Sequence, residues 1–138
     1  MDRPPPPGRV LETGLYVDDL ARAAHFYEHV IGLVPMRADA RFIAYPVGGT
    51  VLLLFRRGQS DSPIGLPFGG VIPPHDGSGR VHFAFAVAHV APWRRHLACH
   101  QVPIEGEVVW PGGGESLYFR DPDGHLVEVA SPGLWPNY

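Results

Sequence analysis

Leu11-Glu12-Thr13-Gly14-Leu15-Tyr16-Val17 and, 70 residues on, Val81-His82-Phe83-Ala84-Phe85-Ala86-Val87 are the stretches on which the reading of this chain turns. Each reads as a largely buried strand, and each opens the same series of signals. After the first, Asp18-Asp19 offers N-cap residues for a helix over about 20–31, closed by Gly32. Leu20, Ala23, Ala24, Tyr27, Val30 and Ile31 form one apolar stripe on that helix. Strands are expected at about 34–37, 41–46 and 50–56, with Gly48-Gly49 as the last turn. After the second, a helix over about 90–100 carries Val90, Trp93 and Leu97 on one face. Strands then follow at about 104–110, 115–120 and 125–131, turned by Pro111-Gly112-Gly113-Gly114 and Asp121-Pro122-Asp123-Gly124. The order strand–helix–strand–strand–strand occurs twice, so the expected class is α+β, built from two βαβββ units.

The units occupy residues 9–57 and 80–138, the latter including a C-terminal tail. Residues 1–8 read as an extended Pro-rich tail. Residues 58–79, rich in Gly, Pro and Ser, are too long for an ordinary connection. They read as a linker between units or as a lid over a site. Laying one unit on the other sets Glu12 opposite His82. It also sets Gly49-Thr50-Val51-Leu52-Leu53 opposite Gly124-His125-Leu126-Val127-Glu128, so that Leu53 answers Glu128.

At 138 residues the chain is one domain's worth. Hydrophobic residues are 45%, charged residues 18% and the formal charge −3. This gives no reason to expect nucleic-acid or membrane-surface partners. All basic residues are Arg, which excludes Schiff-base chemistry on Lys. A single Cys, Cys99, excludes an intrachain disulfide and fits a reducing compartment. Without a signal-peptide core or a membrane-length apolar run, a cytoplasmic location is expected.

Alternate side chains of a strand share a face. Glu12 falls with Gly14 and Tyr16, His82 with Ala84 and Ala86, Glu128 with Leu126 and Ala130. Each strand thus sets one ionisable group in an apolar run beside small residues. A buried carboxylate needs a cation, a hydrogen-bond network or a proton. Two carboxylates and an imidazole meeting around a divalent ion would satisfy one another, and this donor set suits Mn, Fe, Ni, Zn or Mg. The other reading is two solvated acids at strand ends and a hydrogen-bonded core histidine.

Three segments carry a resemblance. They are Leu11–Asp19 with Phe26-Tyr27 and Ile31-Gly32-Leu33, then Val81–Val87, then Leu117-Tyr118-Phe119-Arg120-Asp121-Pro122-Asp123-Gly124-His125-Leu126-Val127-Glu128. Together they resemble the vicinal oxygen chelate superfamily, which takes in glyoxalase I, fosfomycin-resistance transferases, extradiol dioxygenases and bleomycin-binding proteins. The resemblance implies that paired units form a cupped mixed sheet around a metal. It places the metal ligands at Glu12, His82 and Glu128. Where many relatives carry His on the first strand this chain has Glu12, and where glyoxalase I carries a further Glu it has Leu53. The likeness is therefore to the glyoxalase-like members rather than to a named enzyme. It implies a metal-dependent lyase, isomerase or dioxygenase acting on a small oxygenated molecule, or a binding protein of resistance type using the same cup. It also implies a homodimer whose units pair within or across subunits.

Glu12 is the expected proton acceptor. Tyr118 is either a hydrogen-bond donor into the cup or a packed tyrosine. Tyr16, Leu53, Trp110 and Tyr118 are expected to line the substrate pocket, and Trp110 and Trp135 also suit an interface. The pairs His25/His29 and His96/His100 have the i,i+4 spacing of some zinc sites, but read as solvated helix faces. His75 reads as a surface-loop histidine or a cap over the site. Gly112-Gly113-Gly114 precedes no helix and is a turn, not a phosphate cradle.

Overall fold

The computed structural model describes residues 3–138. The first unit runs β1 (Glu12–Val17), α1 (Leu20–Phe26), a π-helical turn (Tyr27–Ile31), β2 (Arg37–Ala38), β3 (Phe42–Val47) and β4 (Thr50–Arg56). A minor hairpin of β5 (Ile64–Gly65) and β6 (Val71–Ile72) follows. The second unit is β7 (His82–Ala86), α2 (Ala91–Cys99), β8 (Gly106–Val109), β9 (Glu115–Arg120) and β10 (Leu126–Ala130). The two main sheets have the same order, β1-β4-β3-β2 and β7-β10-β9-β8, with a parallel pair between the first and last strands of each unit. The duplicated α+β architecture is therefore present. Its register also matches the expected alignment: Glu12 pairs with Val51 and His82 with Leu126, so Leu53 and Glu128 hold equivalent places two residues further on.

Local chemistry explains the helix ends. The Asp19 side chain accepts from the Arg22 amide at 3.1 Å as N-cap. Gly32, at φ 90°, supplies the left-handed residue that stops the helix. The last turn of the expected helix is π-helical, so its carbonyls are offset from the regular ladder. One of them, Val30 O, accepts from His96 Nε2 of the other unit at 2.6 Å. That corrects the solvated-face reading for His96, while His100 is exposed as expected. His96 is half-buried, packed edge-on to Trp93, and links the two helices. His25 and His29 are exposed, as expected.

One face of each sheet builds a single shared core. Leu15, Val17, Leu52 and Leu54 from the first sheet join Leu117, Phe119, Val127 and Val129 from the second, with Phe26 and Tyr27 of the α1 region among them. Phe26 lies 6.2 Å from Phe119 and Tyr27 6.4 Å from Phe83, ring to ring. The Asp-Pro-Asp-Gly-His turn fastens this junction. Tyr27 donates to Asp121 Oδ2 at 2.6 Å, and Asp121 Oδ1 accepts the amides of Asp123 and His125. Buried His125 donates from Nε2 to Tyr16 O and accepts the Val81 amide at Nδ1.

Residues 58–79 do more than connect. Besides the hairpin, residues 75–77 lie on the first sheet's outer face. Tyr16 Oη and His75 Nδ1 are 2.8 Å apart, His75 sits edge-on to Phe55, and Arg57 donates to Gly77 O. No described helix is long and apolar enough to cross a membrane.

Candidate metal centre

Since Leu15, Val17, Leu52 and Leu54 point into the core, Gly14, Tyr16, Leu53 and Phe55 form the first sheet's open face, with Glu12 at its end. On the second sheet, Leu117, Phe119, Val127 and Val129 point inward. Ser116, Tyr118, His82 and Glu128 therefore share the open face. The two open faces lie on the sides that the shared core does not use. A single chain consequently brings His82 and Glu128 together but leaves Glu12 apart, and among the described residues no three His, Cys, Asp or Glu side chains gather as a metal-ligand group. Of the two arrangements left open, within or across subunits, the three residues do not form the first, because the core is built behind both sheets rather than between their open faces.

The pair that does meet is closely specified. His82 Nδ1 lies 3.0 Å from Leu126 O, and a carbonyl only accepts, so Nδ1 carries the proton. His82 Nε2, the ring nitrogen left over, lies 3.1 Å from Glu128 Oε1. Two electron-rich atoms at that separation need a proton or a cation between them. Bonds of about 2.1 Å at a right angle, as in octahedral coordination, put their donor atoms roughly 3.0 Å apart. The His82–Glu128 pair therefore fits two adjacent positions on a divalent ion. His82 is 48% exposed and reachable from solvent, whereas Glu128 is only 4% exposed.

The burial of Glu128 is compensated by a chain of donors. Ser116 donates to Glu128 Oε2 at 2.5 Å and accepts from the Trp110 indole N–H at 2.8 Å. Tyr118 faces Glu128 directly across the β9–β10 ladder, with its ring 5.9 Å from His82. Burial, then the Glu128 charge, holds the Tyr118 hydroxyl above its ordinary pKa, so it stays a donor at neutral pH.

The remaining candidates separate by place. Leu53 and Tyr16 lie on the first sheet's open face, not beside His82. Trp110 is engaged through its N–H with Ser116. Trp135 is exposed near the C-terminus. His75, read from sequence as a loop residue or a cap, sits edge-on to Phe55 on the first sheet's open face. Ser116 and Trp110 were not legible as partners of Glu128. The usable signal was a small polar residue alternating with Leu117 and Phe119 on the strand beside it.

The profile described as the Glyoxalase/Bleomycin resistance protein/Dioxygenase superfamily matches residues 9–129. The chain belongs to that superfamily. Among its relatives, the metallothiol transferase FosB of Shouchella clausii is 27% identical over 129 residues, 82% of this chain and 73% of the relative. A probable lactoylglutathione lyase of Vibrio parahaemolyticus is 26% identical over 150 residues, 92% of this chain and 96% of the relative. The crystal structure of lactoylglutathione lyase from Agrobacterium tumefaciens is 34% identical with a TM-score of 0.85. That match covers 96% of this chain and 99% of the other. In this superfamily member His82 and Glu128 lie 3.1 Å apart on one sheet, and Glu12 is on the other.

Proposed function

We propose that this superfamily member is a metal-dependent glyoxalase-like enzyme acting on a small oxygenated substrate by lyase or isomerase chemistry. Its divalent ion is held by His82 and Glu128 of one chain and Glu12 of a second copy. The observation that supports the reading is the 3.1 Å approach of His82 Nε2 to Glu128 Oε1, with Nδ1 held at Leu126 O. The names of the relatives, a metallothiol transferase and lactoylglutathione lyases, support small-molecule chemistry at such a site.

A bound divalent ion supplies Lewis-acid polarisation of a carbonyl or enediol oxygen. The chain's own groups do the rest. His82 and Glu128 bind and orient from one sheet. Tyr118 keeps its proton and is placed to donate a hydrogen bond to substrate beside them. Glu12 acts as proton acceptor from the facing sheet. The first sheet's Gly14, Leu53 and Tyr16 leave an apolar wall for the substrate's body. Leu53 stands where a fourth carboxylate would complete the set, and this favours a second reading: a binding protein that holds metal and ligand without turnover.

Metal-free protein titrated with Ni, Zn, Mn, Mg and, under anaerobic conditions, Fe(II) tests the site. One ion per chain is expected for the wild type, with His82→Ala and Glu128→Gln each losing it. Stoichiometric binding retained in both variants would remove the pair as ligands. Glu12→Gln is expected to weaken binding of the ion as well, and one that keeps metal and full turnover of a hemithioacetal would remove Glu12 both as ligand and as base. Metal binding with no turnover of any tested substrate would favour the binding protein.

A further inference from the structure

We infer that Trp110 and Ser116 are positioning residues, a directional donor relay that commits Glu128 to present one oxygen, Oε1, to the cation. This rests on the reading of His82 and Glu128 as ligands. The direction of the relay follows from its chemistry. An indole N–H only donates, so Ser116 Oγ must accept from Trp110, and the hydroxyl's single proton is turned toward Glu128 Oε2. Ser116 is 1% exposed and Glu128 4%, so water does not compete for these bonds. With Oε2 occupied by the Ser116 hydroxyl at 2.5 Å, Oε1 remains beside His82 Nε2.

The fold builds this relay from the glycine turn read from sequence only as a turn. Trp110 follows β8, and its N–H and carbonyl close the turn through Gly114 O and the Gly113 amide. Gly113 adopts φ 92°, which a side chain would strain. The tight return sets the indole over Ser116, six residues along, while Ser116 shares its strand face with Tyr118. Free rotation of the Glu128 carboxylate is thereby removed before any ion arrives, so less ordering is needed on binding.

The test uses full-length wild type, Ser116→Ala, Ser116→Thr and Trp110→Phe, titrated with Co(II) and Ni(II) against a competing chelator. Ser116→Ala is expected to lose about 10- to 100-fold in affinity, the usual effect of removing a hydrogen-bond partner of a metal ligand. Ser116→Thr, which keeps the hydroxyl, returns most of it, and Trp110→Phe falls between. The Co(II) visible spectrum shifts in Ser116→Ala, since freed Oε2 can bind along with Oε1, a change that a merely structural role would not produce. Unchanged affinity and spectrum in Ser116→Ala overturn the relay and leave the ligand pair standing. Absence of metal binding in the wild type overturns the ligand reading, and the relay with it. Should Ser116→Ala fail to fold, Trp110→Phe decides: wild-type affinity and spectrum there overturn the relay.

Discussion

Replacing Tyr27 with Phe removes one oxygen atom from the junction between the two units, and its effect can be worked out from the structure. Tyr27 is fully buried and donates to Asp121 Oδ2 at 2.6 Å, while Asp121 Oδ1 already serves two amides. Without the hydroxyl, a carboxylate oxygen on a 5% exposed residue has lost its partner. Hydrogen bonds to charged groups contribute about 1.5–3 kcal/mol. At roughly 2.1 cal/mol/K per residue, the unfolding entropy of this chain makes 1 kcal/mol worth about 3.4 °C. The expected fall in Tm at pH 7 is therefore about 5–10 °C, read by circular dichroism at one protein concentration. The pH dependence gives a second reading. Burial, then the Asp121 charge, holds the Tyr27 hydroxyl well above the ordinary tyrosine pKa. Above about pH 10 the unfolded chain has lost this proton while the native chain keeps it, so native stability falls by up to about 1.4 kcal/mol per pH unit. The Phe variant lacks that contribution. The gap between the two proteins should narrow as pH rises from 9 to 11. An unchanged Tm at neutral pH, or parallel curves to pH 11, would refute the role given to this bond.

Three further outcomes are expected. Phe119→Ala empties a fully buried ring site in the shared core and should cost about 3–5 kcal/mol in urea unfolding; a loss below 1 kcal/mol would mean that the units do not share that core. Gly77→Ala places a Cβ 2.7 Å from the Tyr16 ring and should dislodge residues 75–77 from the first sheet, read as faster limited proteolysis there with little change in Tm; proteolysis at the wild-type rate would contradict it. Gly114→Ala brings a Cβ to 2.7 Å from the Leu134 amide nitrogen, against backbone that cannot swing aside, and should lower Tm measurably where a surface Gly8→Ala does not.

The duplication was legible because its signals are local. Alternation, an Asp N-cap, a stopping glycine and Gly-rich turns recur in the same order, and the ladder then places Leu53 and Glu128 in equivalent register. Which face of each sheet meets the other unit was not legible, because Glu12 and His82 sit at matching points whether the open faces converge or diverge. Packing decides that, through Phe26 against Phe119 and Tyr27 against Phe83. His96 misled for the same reason: its helix position looks solvated until the π-helical turn offers Val30 O. Ser116 carried no local signal of its partner, since its bond to Trp110 depends on how the glycine turn folds back.

The central claim is that His82 and Glu128 of one chain share an ion with Glu12 of another. Mixing Glu12→Gln protein with His82→Ala protein after co-refolding tests it most directly, by metal content per chain. Each variant alone should bind no ion tightly. Random pairing makes half the dimers mixed, each with one intact site of two, so the mixture should recover about a quarter of wild-type capacity. A mixture that binds no more than the separate variants, beside a wild type that binds one ion per chain, would contradict a site shared between chains.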